Sequence, residues 1–458
     1  MKCFSIIILW VFFFLGGCKI ASKYSKPTLA VPHAYQIYSD SDNTPLIKWF
    51  ELYRDTALQS IIKATLENNK NLAIASVRIE EVKIEAAIIR LNQNPRLEYE
   101  VQSGRGSAGY EALKVTNETS SILYKAMGYF NWELDIWGKL RRSTAAAQAQ
   151  FLASTENSNA LKVSLIAEAA SLYFFLRDID NRLSITERTL GLRKENTKII
   201  SKRFEKGYIA ELDKLQALQE EAIAASYIPR LKRQIAQTEN ALCKLMGKPS
   251  APIQRGLSIY DQFISPTIPI GLPSQLLERR PDIKASEKLL QAQFEHIGIA
   301  EANRYPSFSL TGGLGLASPQ LGTILRDGLI ANGFGNTIGP IFKFGQNIKK
   351  VELEKQKTKE YQLQYEQVFL NALAEVNNAL IEVKTYDEEF SLRKEQVTAA
   401  RKALVLSNAR YEYGYTSYLE VLTQQNSLFD AELSESELFQ QKLNARVLLY
   451  KALGGGWN

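Results

Sequence analysis

The chain has 458 residues, is 45% hydrophobic and carries a formal net charge of +7. Its mean hydropathy of −0.20 argues against a membrane protein built from many apolar helices. Lys and Glu are interleaved along predicted helices, as in residues 349–359, which indicates solvated helix faces and no nucleic-acid-binding stripe. With only His33 and His296 available, we expect no histidine-based metal site.

The N-terminus has the pattern of an exported lipoprotein. The apolar run 4–17 is too short to span a bilayer comfortably, and we interpret residues 1–17 as a signal peptide. Leu-Gly-Gly before Cys18 resembles the lipobox of bacterial lipoproteins, in which the signal is cut before a lipid-carrying cysteine. Cys18 is therefore the predicted lipidation site, and an ordinary signal peptide with an unrelated cysteine is the alternative. An aspartate directly after the lipidated cysteine would indicate retention in the inner membrane. Lys19 occupies that position, so we expect export to the outer membrane.

Residues 18–54 are predicted to form a lipid-anchored N-terminal strap. Cys3 is lost with the signal, so the mature chain has no free pair of cysteines for an internal disulfide. Cys243 lies in an apolar helical pattern and is interpreted as a small core residue.

The rest of the sequence is a duplication. Pro95 recurs 211 positions later as Pro306, whereas residues after the first predicted hairpin recur 207 positions later. The register therefore changes by four residues in one place, between Pro95 and Gly138, where we expect a loop or hairpin. A duplication over about two hundred residues indicates two similar halves and not a series of short repeats. The halves are repeat 1 over 55–247 and repeat 2 over 273–458, joined by a linker over 248–272. The recurrent pairs at 207 positions are Gly138/Gly345, Arg203/Arg410, Gly207/Gly414 and Gly247/Gly454.

Repeat 1 begins with a predicted helix over 56–93 that Pro95 ends. Two predicted strands follow, near 96–104 and 121–136, in which apolar and polar residues alternate. The second contains Tyr-Phe-Asn-Trp at 129–132. Long alternation with bunched aromatic residues is typical of a membrane β-strand with lipid on one face and water on the other. A strand of a soluble sandwich is the alternative.

The hairpin is followed by a long helix over 139–206, interrupted in composition only by Gly191, and by a return helix over 209–246 that Pro229 should kink. These helices carry a heptad-like apolar seam, which predicts a coiled coil.

Repeat 2 has the same order of elements. A helix starting at Pro281 precedes strands near 307–316 and 333–344, a long helix over 346–413 and a return helix over 416–453. Pro340 lies in the last predicted strand, where apolar parity is shifted, so we expect a bulge or a strand end there. No Pro or Gly interrupts the second long helix, which predicts a length of about 100 Å.

Two membrane strands per repeat give four per chain. Open strand edges do not lie in lipid, and four strands are too few for a closed barrel, so the barrel must be shared between chains. Long helices below a shared barrel make a tube, which implies transport. The hairpin loops 105–119 and 317–332 should face outside, and the proline-rich linker should wrap the middle of the tube. The predicted fold is a mixed α/β membrane protein of two structural repeats, each with a β-hairpin and long coiled-coil helices.

Several segments carry a family resemblance. Residues 271–283, Gly-Leu-Pro-Ser-Gln-Leu-Leu-Glu-Arg-Arg-Pro-Asp-Ile, with Asp-Ile-Trp-Gly-Lys at 135–139, resemble the outer membrane factors of tripartite efflux pumps. The resemblance is to the TolC-like and especially the OprM/NodT-type lipoproteins, and it covers essentially the whole mature chain. It implies a homotrimer with a twelve-stranded β-barrel on an α-helical periplasmic tunnel. It also implies a periplasmic adaptor protein and an inner-membrane transporter, of RND type, as partners.

In that family the turns at the far ends of the long helices dock the adaptor and typically read Val-Gly-Leu. The matching residues are Gly207, Tyr208 and Ile209 in repeat 1. In repeat 2 they are Gly414, Tyr415 and Thr416. The tyrosines depart from the family pattern and leave the adaptor's identity open. A plain helix-ending glycine is the alternative interpretation.

Family members also place acidic residues just past the turn, around a closed periplasmic aperture. The matching positions are Glu420 and, one turn on, Thr423, and the repeat 1 counterpart of Glu420 is Asp213. Three copies of Glu420 around a pore would attract cations and repel each other. A solvated glutamate on a helix is the alternative.

No motif predicts catalysis, so we expect neither an enzyme nor a cofactor. The glycine-rich segment 312–315 lies in an alternating strand, where small residues suit barrel packing. The predicted function is a passive exit duct for small molecules in the outer membrane. A duct for type I protein secretion and a non-channel coiled-coil lipoprotein are the alternatives. The substrate is not encoded here, because selection in such pumps is largely upstream.

Overall fold

A computed structural model describes residues 23–36, 48–106, 121–262 and 270–455. The predicted signal peptide, Cys18, most of the loop 105–119 and part of the linker lie outside the described residues. In chain order the elements are α1 (Trp49–Leu52), α2 (Thr56–Asn68), α3 (Lys70–Leu91), β1 (Arg96–Gly106), β2 (Ser121–Leu134), α4 (Lys139–Glu205), α5 (Glu211–Leu245), α6 (Leu276–Arg279), α7 (Pro281–Ala302), β3 (Ser307–Ser318), α8 (Ile324–Asp327), β4 (Leu329–Ile338), α9 (Gln346–Glu412) and α10 (Tyr418–Ala452).

The chain divides into two compact units. Of the described residues, unit 1 contains 23–28 and those within Arg78–Thr155 and Ala285–Glu366. Unit 2 contains Leu29–Val77, Glu156–Lys284 and the C-terminal part from Gln367. Both long helices, α4 and α9, contribute residues to each unit.

Unit 1 holds a four-stranded antiparallel sheet in the order β1-β2-β3-β4. Its two hairpins have the same register. Arg96 lies opposite Asn131 in the first, and Ser307, 211 positions after Arg96, lies opposite Ile338, 207 positions after Asn131. The sheet therefore reproduces the two sequence offsets, and β2 and β3 join the repeats.

The sheet has one apolar and one polar face. On the apolar face Leu97 lies opposite Phe130, and Trp132 lies opposite Leu310. On the polar face Lys125 forms an ion pair with Glu100 at 2.8 Å. In the part of the sheet that the structure describes, β1 and β4 are each paired on one side only. An apolar face and two open edges are what a piece of a shared membrane barrel requires.

Two predicted elements differ from the structure. The last strand, predicted over 333–344, is β4 at Leu329–Ile338, and its register with β3 continues without a bulge. Pro340 has no N–H to donate to a ladder, so of the two expected outcomes there the strand end is observed. Because β4 starts at Leu329, the predicted loop 317–332 is shortened and includes α8.

The first helix, predicted over 56–93, is divided into α2 and α3 at Asn69, whose backbone is extended. By contrast, α4 continues through Gly191 and α5 continues through Pro229.

The main apolar core of unit 2 lies among α2, α4, α5 and α10. Its largest fully buried side chains include Tyr53, Tyr173 and Phe174. By length and composition α4 includes a stretch apolar enough to cross a membrane, but 56% of it is buried within the chain. That burial is what a core helix shows.

Each return helix is held by an equivalent side chain. Asn69 donates to the carbonyl of Leu245 at 2.8 Å, and Arg280 donates to the carbonyl of Ala452 at 2.9 Å. Asn69 and Arg280 are 211 positions apart, and the two carbonyls are 207 apart. These contacts satisfy helix C-terminal carbonyls that would otherwise lack a donor. The Arg-Arg-Pro-Asp motif thus has a structural use, because Arg280 also pairs with Asp282 at 2.6 Å and with Glu375 at 2.7 Å.

The linker is fastened by a buried carboxylate. Asp55 Oδ2 accepts hydrogen bonds from the Tyr173 hydroxyl, the Leu257 N–H and the Gln262 amide at 2.7, 2.9 and 2.7 Å. Its Oδ1 accepts from the N–H of Ala57 at 2.8 Å and caps α2. Burial opposes ionisation of Asp55, but these hydrogen bonds, Gln262 and Tyr173 foremost, outweigh it and lower its pKa.

A lowered pKa makes the contribution of Asp55 to stability dependent on pH. It is fully present above the unfolded pKa of about 4 and is lost as pH falls through the lower folded pKa. We expect Asp55→Asn to lower the thermal midpoint of the detergent-solubilised protein at pH 7, with a cost of about 1–3 kcal/mol, because an amide cannot accept all four bonds. The difference from the wild type should shrink towards pH 3. Asp261→Asn, on the same linker but exposed, is the control. A pH-independent difference would contradict the interpretation.

Candidate functional site

The two turns between long and return helices have the same backbone geometry. Gly207 and Gly414 have φ of +75° and +76°, a left-handed conformation that side chains disfavour. The N–H of Tyr208 donates to the backbone carbonyl of Arg203 at 2.9 Å, and the N–H of Tyr415 donates to the backbone carbonyl of Arg410 at 2.8 Å. Both turns are therefore Schellman motifs, the most common way for a helix to end at glycine. Neither glycine has an atom within 4 Å of where a Cβ would lie. Glycine is therefore needed at these positions for its backbone conformation and not for lack of space.

Large aromatic side chains project from the turns. Tyr208 is 75% exposed and Tyr415 is 77% exposed. Exposed aromatic rings at a helix turn are suited to contact with another protein. Ile209 is instead half-buried against a small apolar cluster, and Thr416 is half-buried beside Glu420.

The structure brings the two turns together within unit 2. The guanidinium of Arg203, in repeat 1, lies 5.5 Å from the ring centroid of Tyr411, in repeat 2, and donates to its hydroxyl at 3.3 Å. Tyr411 also contacts the ring of Tyr418 at 5.5 Å. Tyr411 also packs against an apolar cluster that joins α4, α5 and α10: Ile200, Ala217, Tyr418, Val421 and Leu422. Sequence offset alone did not predict this contact.

Glu420 lies in the first turn of α10 and is already partnered. Its Oε2 accepts a hydrogen bond from the Thr416 hydroxyl, and its Oε1 is 3.7 Å from Arg410 Nη1. About a third of the side chain, 34%, remains exposed. The carboxylate therefore has one side available to solvent or to a further group.

The other two predicted aperture residues are less constrained. Thr423 is exposed and its hydroxyl donates to the Leu419 carbonyl at 2.8 Å. Asp213 is half-buried in the first turn of α5. A negative charge there interacts favourably with the positive end of the helix dipole.

A buried arginine that sequence analysis missed lies deeper between the helices. Arg193, 4% exposed, donates to the Glu220 carbonyl at 2.6 Å and to the Asn426 side chain at 2.5 Å. It also pairs with the Glu220 carboxylate at 3.1 Å and lies over the ring of Phe429. Burial lowers the pKa of Arg193, and the charge of Glu220 opposes that shift. Its counterpart in repeat 2 is Ala400, so the duplication contained no signal for it.

Arg193 is one step of a series of polar contacts between α4 and α10. Each contact joins repeat 1 to repeat 2 within unit 2, and the series runs antiparallel along the two helices. We call this series the α4–α10 ladder. Its pairs are Ser171–Asn444, Asp178–Ser436, Asn181–Ser436, Arg188–Glu432 and Arg193–Asn426.

Comparison with known proteins decides the family. A sequence model described as "Outer membrane efflux protein" matches residues 61–248 and 272–455, which is most of the chain and leaves out the predicted linker.

This chain belongs to the outer membrane efflux protein family.

Relatives of the efflux protein support that assignment along its whole length. It is 31% identical to the solvent efflux pump outer membrane protein SrpC of Pseudomonas putida, covering 99% of each chain. It is 29% identical to the cation efflux system protein CusC of Escherichia coli O157:H7, over 97% of this chain and 96% of that one. The solved open state of the MtrE channel of Neisseria gonorrhoeae is similar with a TM-score of 0.87 and 27% identity, covering 96% and 99%.

These comparisons confirm the predicted fold class and the predicted role in efflux. The efflux protein has the fold of outer membrane efflux channels, with a β-sheet segment and long helices, and it is an outer membrane component of an efflux system. The resemblance to TolC-like and OprM/NodT-type factors is confirmed as well.

Proposed function

We propose that the chain acts as a homotrimer, forming a passive exit duct through the outer membrane for small molecules. A periplasmic adaptor protein and an inner-membrane transporter of the RND type deliver the cargo and supply the energy. The observation that carries the proposal is the four-stranded sheet with an apolar face and two one-sided edge strands. Such a sheet cannot remain open in lipid and must close with further strands.

Single-particle imaging of the detergent-purified protein tests the duct. We expect a threefold particle with a β-barrel at one end of a helical tunnel. A monomer, or a coiled coil without a barrel, would favour a tethered non-channel lipoprotein. Deleting the gene tests the cargo: sensitivity to small toxic compounds should rise while secreted proteins are unchanged. Loss of a secreted protein would favour type I secretion.

The exposed turns support adaptor docking. The turn of Gly207, Tyr208 and Ile209 and the turn of Gly414, Tyr415 and Thr416 are linked through the contact between Arg203 and Tyr411. Tyr208 and Tyr415 are both at least three-quarters exposed. We assign this surface to the tips of the adaptor, because it combines large aromatic area with rigid Schellman turns.

The N-terminal strap supports a lipid anchor on Cys18. Within unit 1, the ring of Tyr24 contacts Phe294 edge-on at 5.6 Å, and Lys26 pairs with Glu287 at 2.6 Å. Cys18 is six positions before Tyr24, a reach of at most about 20 Å along an extended chain. An acyl group on Cys18 would therefore stay close to α7, which leads directly into β3.

We expect Cys18→Ser to abolish incorporation of radiolabelled palmitate and to leave the strap contacts intact. Cys243→Ser is the control, because Cys243 is buried and should not be acylated. Labelling that persists in Cys18→Ser would overturn the anchor.

We assign Glu420 to the periplasmic aperture, with Thr423 and Asp213 as weaker contributors. Three half-exposed carboxylates around one axis would favour small cations over anions. The partner Arg410 moderates this charge, since it lies 3.7 Å away.

Glu420→Ala should leave trimers and export intact but change the small-ion leak, with lower cation selectivity in planar bilayers. Glu412→Ala, an exposed acid at the end of α9, is the matched control. Unchanged conductance and selectivity in Glu420→Ala would remove Glu420 from the aperture.

A further inference from the structure

Strand β4 reverses the alternation of the rest of the sheet. On the polar face, where Lys125 pairs with Glu100, β4 contributes Ile330, Phe334 and Ile338, and its residues on the apolar face are mostly small. Phe334 and Ile338 are 61% and 72% exposed although β3 pairs with their backbone. The ring of Phe334 therefore contributes little to packing within the chain and is available to a ligand.

A glycine of β3 leaves a shallow groove beside Phe334. Gly313 lies opposite Tyr129 of β2 on one side and opposite Asn332 of β4, two positions before Phe334, on the other. A Cβ on Gly313 would lie 2.7 Å from Asn332 Oδ1 and 3.0 Å from Met127 Cε. Both atoms are the ends of flexible side chains, which can move aside. Since neighbouring strands are about 4.8 Å apart, β2 and β4 are about 10 Å apart, which leaves room for one flat ring between Tyr129 and Phe334.

The charges around the groove favour a cation. Lys125 lies 5.1 Å from the ring centroid of Tyr129, but its charge is compensated by Glu100 at 2.8 Å. Glu98, opposite Tyr129, is exposed and has no ion pair in the part of the chain that the structure describes. Arg96, two positions before Glu98, donates at 2.6 Å to a side-chain amide oxygen of the segment that precedes β1. The carboxylate beside the groove is therefore free to accept a positively charged ligand.

We infer that the groove formed by Tyr129, Gly313 and Phe334 binds flat aromatic cations. The two rings supply stacking and cation–π contacts, the glycine supplies the space between them, and the Glu98 carboxylate supplies the counter-charge. The inference rests on the proposed function, in which the polar face of the sheet lines the water-filled duct. It gives the duct a site at which aromatic cations are held during their passage.

Proflavine, a fluorescent flat aromatic cation, tests the groove on the full-length protein purified in detergent. Fluorescence anisotropy should show saturable binding, which Phe334→Ser and Tyr129→Ser each weaken at least about tenfold. Tyr124→Ser, on the same strand as Tyr129 but on the apolar face, is the matched control and should bind as the wild type does. Glu98→Gln should also weaken binding. Tetraethylammonium has the same charge but no ring and should not displace proflavine.

Equal binding to the wild type and to both serine variants in the groove would overturn the inference. Displacement by tetraethylammonium would do so as well, because charge alone would then explain the binding.

Currents in planar bilayers separate the groove from the proposed duct. Proflavine added on the barrel side should interrupt the wild-type current, and the interruptions should be at least about tenfold shorter in Phe334→Ser. A threefold barrel whose current proflavine does not interrupt would overturn the groove alone. A particle without a barrel would overturn the duct and the groove together. Interruptions of equal length in the wild type and in Phe334→Ser would place the bound cation elsewhere and overturn the groove.

Discussion

Arg193→Met should loosen the helical part of the protein more than any other single substitution in the α4–α10 ladder. The change removes a charge that is 4% exposed and leaves the Glu220 carboxylate without its partner. Breaking a buried ion pair in this way costs about 3–5 kcal/mol. We expect a lower thermal midpoint and, because Arg193 joins α4 to α5 and α10, a larger resting leak in planar bilayers.

Arg188→Met is the matched control for Arg193. Arg188 belongs to the same ladder, but its side chain is 57% exposed, and its partner Glu432 keeps a second arginine, Arg401, at 2.8 Å. Its loss should cost about 1 kcal/mol or less. Combining Arg193→Met with Glu220→Gln should recover part of the lost stability. Equal effects of the Arg188 and Arg193 variants would contradict the importance of burial.

Arg280→Met should destabilise unit 2 strongly. Arg280 is 7% exposed, and its loss would leave the Ala452 carbonyl without a donor and the Asp282 and Glu375 carboxylates without a counter-charge. We expect a cost of about 1–3 kcal/mol for the unpaired Ala452 carbonyl. Each lost ion pair adds up to about 1 kcal/mol, because the Asp282 and Glu375 carboxylates are 38% and 55% exposed. The fall in the thermal midpoint of the solubilised protein measures the sum.

The duplication supplies the control for Arg280. Asn69 makes the equivalent contact with Leu245 in repeat 1 but is neutral, so Asn69→Leu should cost only about 1–3 kcal/mol. If the thermal midpoint fell by the same amount in both variants, the charges around Arg280 would not contribute to holding the end of the return helix.

Local signals in the sequence predicted much of this architecture. Gly207 and Gly414 marked the helix ends because a left-handed residue is a local requirement that glycine meets. The alternation in β1 and β2 predicted one apolar face because strand periodicity is also local. The shared offsets predicted two equivalent halves, and the hairpin registers reproduce them.

Features set by distant contacts were missed. The helix break at Asn69 was missed although Asn68, Asn69 and Asn71 favour helix ends over helix interiors. The contact that accompanies the break, a hydrogen bond to Leu245, is 176 positions away. The partners of Asp55 in the linker are likewise remote, at Leu257 and Gln262. The burial of Arg193 was not predicted, because burial of a charge depends on packing with distant residues, which no local sequence pattern shows. The end of β4 was misplaced because apolar residues beyond Pro340 continued its alternation.

The helices of the two repeats are matched in length. Both α4 and α9 have 67 residues, and both α5 and α10 have 35. A single insertion in one helix would leave its turn out of step with the other turn, and the contact between Arg203 and Tyr411 would be lost. The lengths of these helices can therefore change only through coordinated insertions in all four of them. The duplication thus couples the four helix lengths, whereas a substitution on a helix surface leaves the match intact.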